Sequence, residues 1–257
     1  MSMAVRIGID VGSTTTKLVA IDPGGAIVAW RLEPGDPRVR EQASRLVASL
    51  REQTGDAKAP VVATGYGRKL VGDATKVVTE ISCHARGAWH RMGTPGVLID
   101  VGGQDTKVVR VGQGGEVADF AMNDKCAAGT GRFLEVILPR LGVAWEEVAP
   151  MFQKAPKPVA ISSTCTVFAE SEVISLIANG ESVEGIVKGL HMALAERVAG
   201  LAGRMLAGAP SVFLSGGVAK NQAMLAALQS KLQRSVTVVP DPQLVGALGA
   251  ALSAPMA

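Results

Sequence analysis

Cysteine is nearly missing from this sequence: Cys83, Cys126 and Cys165 are its three thiols among 257 residues. An odd number in a chain of this length does not make a disulfide framework, so the thiols are free or serve as ligands in a reducing compartment. Aromatic residues are also few, at 4%, which argues against a platform for stacked bases. Neither sign of charge dominates. The net charge is +3 and scattered along the chain, too weak a field to point to nucleic acid. No apolar run reaches the roughly 18 residues needed to span a bilayer. The N-terminal "MSMAVRIGID" enters a strand pattern with no apolar signal-peptide core. The expectation is a cytoplasmic protein that engages neither nucleic acid nor membrane.

What is present reads as α/β. Hydrophobic residues make up 47% and charged residues 19%, enough for one large domain or two small ones. The strand-like runs "VRIGIDV", "TKLVAID" and "AIVAW" come first, with "DPGG" as a turn between the last two. Leu46, Val47 and Leu50 mark a helix ending at Gly55. "PVVATGYG" reads as a buried strand and "ISCHARGAWHRMG" as a helix. Further on, "VAISSTCTVFAESEVISLIANG" reads as a strand-to-helix junction, and "SVFLSGGVAKNQAMLAALQSKL" as strand, Gly-Gly turn and helix.

The opening motif occurs twice. "GIDVGSTTTKLV" at 8–19 matches "LIDVGGQDTKVV" at 98–109, with seven identities across positions 9–19. This is an internal duplication of strand, Asp-x-Gly turn and strand, with a period too long and copies too few for a solenoid. It divides the chain into a domain over 1–92 and another over 93–257, the C-terminal helix being free to pack back on the first.

An Asp at a strand end can hold Mg²⁺ directly or through water. The glycine that follows lets the backbone approach phosphate, and its neighbours supply N–H and hydroxyl donors. The first copy offers Asp10, Gly12, Ser13, Thr14 and Thr15; the second offers Asp100, Gly102, Gly103 and Gln104. Two such turns facing each other would clamp a polyphosphate, with Gln104 orienting the attacking water. Gly216 and Gly217 end a strand and open a helix, a place for adenosine, with Gln243 nearby in the reading. Lys17 and Lys107 are either phosphate contacts or hairpin caps. No P-loop pattern occurs, and no G-x-G-x-x-G opens the first helix.

The three motifs resemble the superfamily of acetate and sugar kinases, Hsp70 and actin. That resemblance implies two ribonuclease-H-like domains with ATP and Mg²⁺ between them, organised by Asp10 and Asp100.

Cys126 and Cys165 each follow polar residues and precede a helical run, where free N–H groups stabilise a thiolate. Ser162, Ser163, Thr164 and Thr166 are potential donors to sulfur. Glu170 and Glu172 read as a solvated helix face. Two cysteines cannot fill a zinc or cubane site, His84, His90 and His191 lack ligand spacing, and no C-x-x-C occurs. Either the pair is ordinary, or the site lies on a twofold axis and each subunit supplies half.

Taken together, "GIDVGSTTTKLVAID", "ATGYGR", "SCHARGA", "LIDVGGQDTKV", "MNDKCAAGTGRFLEV", "AISSTCTVFAESEVISLIANG", "SGGVAKN" and "GALGAAL" resemble the ATPase activators of 2-hydroxyacyl-CoA dehydratases, notably those of the 2-hydroxyglutaryl-CoA enzyme, in the BadF/BadG/BcrA/BcrD ATPase family. The resemblance covers nearly the whole chain. It implies an ATPase whose homodimer shares one [4Fe–4S] cluster, held by Cys126 and Cys165 of each subunit, with Cys83 a packed thiol outside the ligand motifs. It also implies ATP/ADP and Mg²⁺ as cofactors and ferredoxin or flavodoxin as electron donor. The electron acceptor would be a 2-hydroxyacyl-CoA dehydratase or, in the related subunits, a benzoyl-CoA reductase. The alternative of a small-molecule kinase of the same fold leaves the cysteine motifs without a use. An oxygen-sensitive protein is expected.

Overall fold

Both copies of the repeated motif fold as the strand, turn and strand that their apolar runs predict. In this computed structural model, which describes residues 4–255, the first copy is β1 (Arg6–Val11) and β2 (Thr15–Ile21), an antiparallel pair in which Asp10 lies opposite Lys17 and Val11 opposite Thr16. After "DPGG" comes β3 (Ile27–Pro34), then helix α1 (Val39–Thr54), β4 (Val61–Thr64), β5 (Lys76–Val77) and helix α2 (Glu80–Met92). The second copy is β6 (Gly96–Val101) and β7 (Thr106–Val111), followed by β8 (Val117–Asn123). Helices α3 (Gly131–Ile137), α4 (Trp145–Lys154), α5 (Thr166–Ala178) and α6 (Val183–Ala202) come next. The chain continues through β9 (Val212–Ser215), α7 (Gln222–Leu232) and β10 (Thr237–Val238) to α8 (Val245–Ala251).

The duplication extends to topology. One sheet runs β3-β2-β1-β4-β5 and the other β10-β9-β6-β7-β8. In each, the strand carrying the motif aspartate is central. It has its repeat partner on one side and a parallel strand, β4 or β9, on the other. A central strand of this kind is covered on both faces, so it reads as a continuous apolar run. Accordingly Ile7, Ile9, Val97 and Ile99 are wholly buried.

The chain divides into two compact units: residues 1–96 with 109–119 and 239–257, and residues 97–108 with 120–238. In the first unit the core of β1, β4 and α1 centres on Ile7, Ile9, Leu46, Leu50 and Val61. Helix α8, built only of Val, Gly, Ala and Leu, is buried along its length and packs on β1, β2, β4 and α2. In the second unit Ile99, Phe133, Leu134, Leu190, Leu194 and Leu214 anchor one large core. Among the described residues no helix is long and apolar enough to cross a membrane.

The structure corrects one element. "VAISST" forms no strand; it is an extended loop whose Val159 N–H donates to Gly185 O at the start of α6 (2.9 Å). An apolar triplet is ambiguous by pattern alone, and here a helix backbone takes the place of a ladder partner.

Candidate functional site

In the first turn Gly12 N–H donates to Thr15 O (3.1 Å), and Gly35 N–H donates to Thr14 O (2.9 Å), fixing the turn against the end of β3. Ser13 is exposed, while Gly12, Thr14 and Thr15 are half-buried. Asp10 is buried, with Lys17 Nζ 3.6 Å from Oδ2. Its Oδ1 is buried and accepts no hydrogen bond among the described residues. Gly65 (φ +90°) lies against that atom: a Cβ there would stand 2.4 Å from Oδ1. A buried carboxylate oxygen without a donor is costly, and it is also the hard anionic ligand that a divalent cation takes.

The second turn repeats the plan with different partners. Gly102 N–H donates to Asp105 O (2.9 Å). Asp100 Oδ1 accepts from Ser215 Oγ (2.7 Å), its parallel neighbour on β9. Lys107 Nζ is 3.6 Å from Asp100 Oδ2 and also pairs with Asp105. Its side chain is 2% exposed, against 16% for Lys17. Each lysine therefore pairs with the aspartate of its own turn. Gln104 is exposed at the tip.

At the third motif Gly216 follows β9 with φ +86°, and a Cβ would fall 2.3 Å from Val101 O. A single 3-10 turn over Gly217–Lys220 intervenes before α7, which Asn221 caps by accepting from Ala223 N–H (2.9 Å) and Met224 N–H (3.3 Å). The Gly-Gly pair thus opens this turn and not the helix itself. Gln243 is half-buried in the segment that leads into α8, within the first unit.

Cys126 is exposed and Cys165 half-buried. Asn123 clamps the first: its Oδ1 accepts from Cys126 N–H (3.1 Å) and its Nδ2 donates to Cys126 O (2.8 Å). A 3-10 turn, Ala127–Gly129, separates Cys126 from α3, so this cysteine does not directly precede an α-helix as expected. Cys165 occupies the N-cap position of α5. The serines before it bond to Glu172. Glu172 accepts from Ser162 N–H and Oγ (2.8 and 2.7 Å) and from Ser163 N–H (2.8 Å). Burial would raise the Glu172 pKa, but these hydrogen bonds outweigh it and bring it down to about 2. Glu172 is therefore a loop anchor and not merely part of a solvated face, whereas Glu170 pairs with Arg140 (2.7 Å). Cys83 is wholly buried, and burial pushes its thiol up to about 11.

The second turn and the cysteine loop touch. Gly131 N–H donates to Gly102 O and Arg132 N–H to Gly103 O, both at 2.9 Å. Thr130 Oγ1 lies 3.0 Å from Gly103 O, and Thr106 Oγ1 donates to Gly129 O (2.6 Å). Sequence alone leaves open what "GTG" contacts; in the structure it bonds to the backbone of the second turn. Sequence reasoning missed Arg197 of α6 altogether. It donates to Ala128 O (3.1 Å) and Ser163 O (2.7 Å). A lone arginine on a helix carries no spacing signal that could reveal this. Among the described residues no three His, Cys, Asp or Glu side chains converge as a metal site within the chain.

Two matched Asp-x-Gly turns on topologically equivalent sheets define an ATPase of the actin, Hsp70 and sugar-kinase fold. The chain belongs to the BadF/BadG/BcrA/BcrD ATPase family, whose model matches residues 7–254. It is 45% identical over 255 residues to an activator of lactoyl-CoA dehydratase from Anaerotignum propionicum, covering 96% of each chain. A solved structure, the activator of the 2-hydroxyisocaproyl-CoA dehydratase from Clostridium difficile with bound ADPNP, superposes with a TM-score of 0.88 at 41% identity, covering 96% of this chain and 93% of that one. One of the subunits of benzoyl-CoA reductase from Thauera aromatica is more distant, 31% identical over 263 residues and covering 97% of this chain and 93% of its own.

Proposed function

We propose that the protein hydrolyses ATP to pass a low-potential electron, received from ferredoxin or flavodoxin, to a 2-hydroxyacyl-CoA dehydratase. In this reading two copies share one [4Fe–4S] cluster. The observation that carries it is the direct bonding of the Gly102–Gly103 turn to the Thr130–Arg132 segment behind Cys126. A phosphate sensor and a thiol loop joined by backbone hydrogen bonds cannot move independently.

Asp10 suits Mg²⁺: its Oδ1 is buried and, among the described residues, accepts no hydrogen bond. Mg²⁺, when bound, neutralises charge on the phosphates. Asp100 is already engaged by Ser215 and Lys107, which suits it to hold metal-bound water. Ser13, Thr14, Thr15 and Gly103 supply phosphate donors, Gly12 and Gly102, whose N–H groups close their own turns, let the backbone approach the phosphate, and exposed Gln104 orients the attacking water. Lys17 and Lys107 hold the two carboxylates in place. Gly216, Gly217 and Gln243 frame the adenosine.

Cys126 and Cys165 suit a shared cluster. Both thiols reach the surface, and one chain offers two ligands where a cubane takes about four. Helix α5, which starts at Cys165, leaves Val167, Phe168, Ile174 and Ile177 exposed. An apolar face of that kind marks an interaction surface and fits the approach of a second copy. The cluster, when bound, carries one electron at a time. A benzoyl-CoA reductase partner is the second reading; the lower identity of that relative favours the dehydratase.

The test is anaerobic reconstitution with reduced ferredoxin, ATP and a 2-hydroxyacyl-CoA dehydratase, lactoyl-CoA being the first substrate. Dehydration should require this protein and hydrolysable ATP together. Dehydration at the same rate without ATP would falsify the gate.

A further inference from the structure

Arg197 lies outside the nucleotide motifs and is not a thiol, yet it touches both cysteine loops. Its Nη1 donates to Ala128 O, two residues after Cys126, and its Nη2 to Ser163 O, two residues before Cys165. The Phe133 ring of α3 packs under the guanidinium, 4.8 Å away. An open depression of about 290 Å³ is bordered by Cys126 and Arg197 together. Burial pulls the Arg197 pKa down, while Cys126 and Glu172 push it back up.

Asn123, the last residue of β8, clamps Cys126, whereas among the described residues no strand ladder holds the Cys165 loop. The Cys126 loop is fastened to the second phosphate turn, and the Cys165 loop to α5 through Glu172 and to α6 through Gly185. Their anchors differ, so motion arriving through Gly102 and Gly103 reaches Cys126 first. A guanidinium presents donors in a rigid planar fork and makes charge-assisted bonds about twice as strong as neutral ones. It can therefore hold two carbonyls on separate segments at one spacing, as a flexible ammonium cannot.

We propose that Arg197 is a positioning residue: it ties the Cys126 and Cys165 loops into one moving unit and holds a fixed positive charge beside the cluster they would carry. The charge half rests on reading the two cysteines as cluster ligands; the tie itself does not. Partners of metal ligands that are not ligands themselves commonly change metal retention by roughly 10–100-fold when lost, and net charge near an iron–sulfur site sets its potential.

The test uses the full-length protein under anaerobic conditions, as wild type, Arg197→Met and Arg197→Lys. Hydrogen exchange is followed at 126–132 and 160–166 with and without Mg²⁺ and ADPNP. In wild type both segments should change protection on nucleotide binding; in Arg197→Met only 126–132 should. A chelator should strip iron from Arg197→Met roughly 10–100-fold faster than from wild type. The midpoint potential, followed by electron paramagnetic resonance, should fall in Arg197→Met and recover in Arg197→Lys, which keeps the charge and loses the fork. If Arg197→Met does not fold, Arg197→Lys carries the exchange comparison by itself, again losing the response at 160–166. An unchanged response at 160–166 in the variant overturns the tie. Wild-type chelation kinetics and potential in Arg197→Met overturn the charge half. A wild-type chain that binds no iron sinks the cluster reading and the charge half together, and the exchange data still decide the tie.

Discussion

Asp10 and Asp100 hold matching places in a repeated motif, but their surroundings differ. Asp100 is engaged by Ser215 and Lys107, whereas Asp10 keeps one buried oxygen free of donors among the described residues. The repeat makes both carboxylates legible in the sequence. The asymmetry is not legible, because Ser215 is 115 residues from Asp100 and nothing local marks the pair. Asp10→Asn removes the carboxylate proposed to hold Mg²⁺ while keeping the shape. We expect Mg²⁺-dependent ATP hydrolysis to fall by about 100-fold or more, with thermal stability nearly unchanged in steady-state assays run beside thermal melts.

His191 supplies a second prediction at this scale. It is wholly buried; Nδ1 faces Val187 O (2.7 Å) and Nε2 faces Asn221 Nδ2 (2.9 Å), so the neutral ring donates at one nitrogen and accepts at the other. Burial lowers its pKa from 6.5 to about 4, against a weaker pull upward from Val187 O. The folded state therefore resists a proton that the unfolded chain accepts. The stability from the neutral ring is present above pH 6.5 and lost as pH falls towards about 4. Urea unfolding across that window should show the slope, and His191→Gln should flatten it.

Elements that repeat or alternate cleanly, such as the two Asp-x-Gly hairpins and α2, follow from pattern. The loops that present the thiols do not. "VAISST" looks apolar enough for a strand, but its backbone partner is a helix carbonyl. The helix beginning at Thr166 carries Glu172, whose reach back to Ser162 and Ser163 is a tertiary fact with no periodic trace. Its depressed pKa means that the tether contributes its full stability above about pH 4.5, loses that contribution as pH falls, and is itself released only near pH 2. Glu172→Gln should loosen the 162–165 loop already at neutral pH, visible as faster amide exchange there; exchange equal to wild type would remove Glu172 from this role. Thr130 is the corresponding joint on the other loop, capping α3 while its hydroxyl reaches Gly103 O and Ala127 O. Thr130→Ala should cost about 1 kcal/mol, a fall in Tm of roughly 2–4 °C for a chain of this size, and Thr130→Ser should restore it.

At the scale of the whole molecule, two thiols per chain are an incomplete set, and composition alone cannot say whether the set is ever completed. The structure contributes three facts to that question. The thiols lie on loops that reach the surface, Arg197 bonds to both loops, and the helix leaving Cys165 exposes Val167, Phe168, Ile174 and Ile177. A twofold axis at this face would supply the missing ligands and cover these side chains in one step. It would also leave a cluster with protein on few sides, open to oxidants. The expected outcome under anaerobic native mass spectrometry is therefore about four irons per two chains, carried only by the dimer. Cys126→Ser and Cys165→Ser should each abolish iron binding, while Cys83→Ser, a change at a packed thiol, should keep it. Exposure to air should bleach the absorbance near 400 nm and release the iron. Iron bound in proportion to single chains, or retained through prolonged aeration, would rule out the shared site.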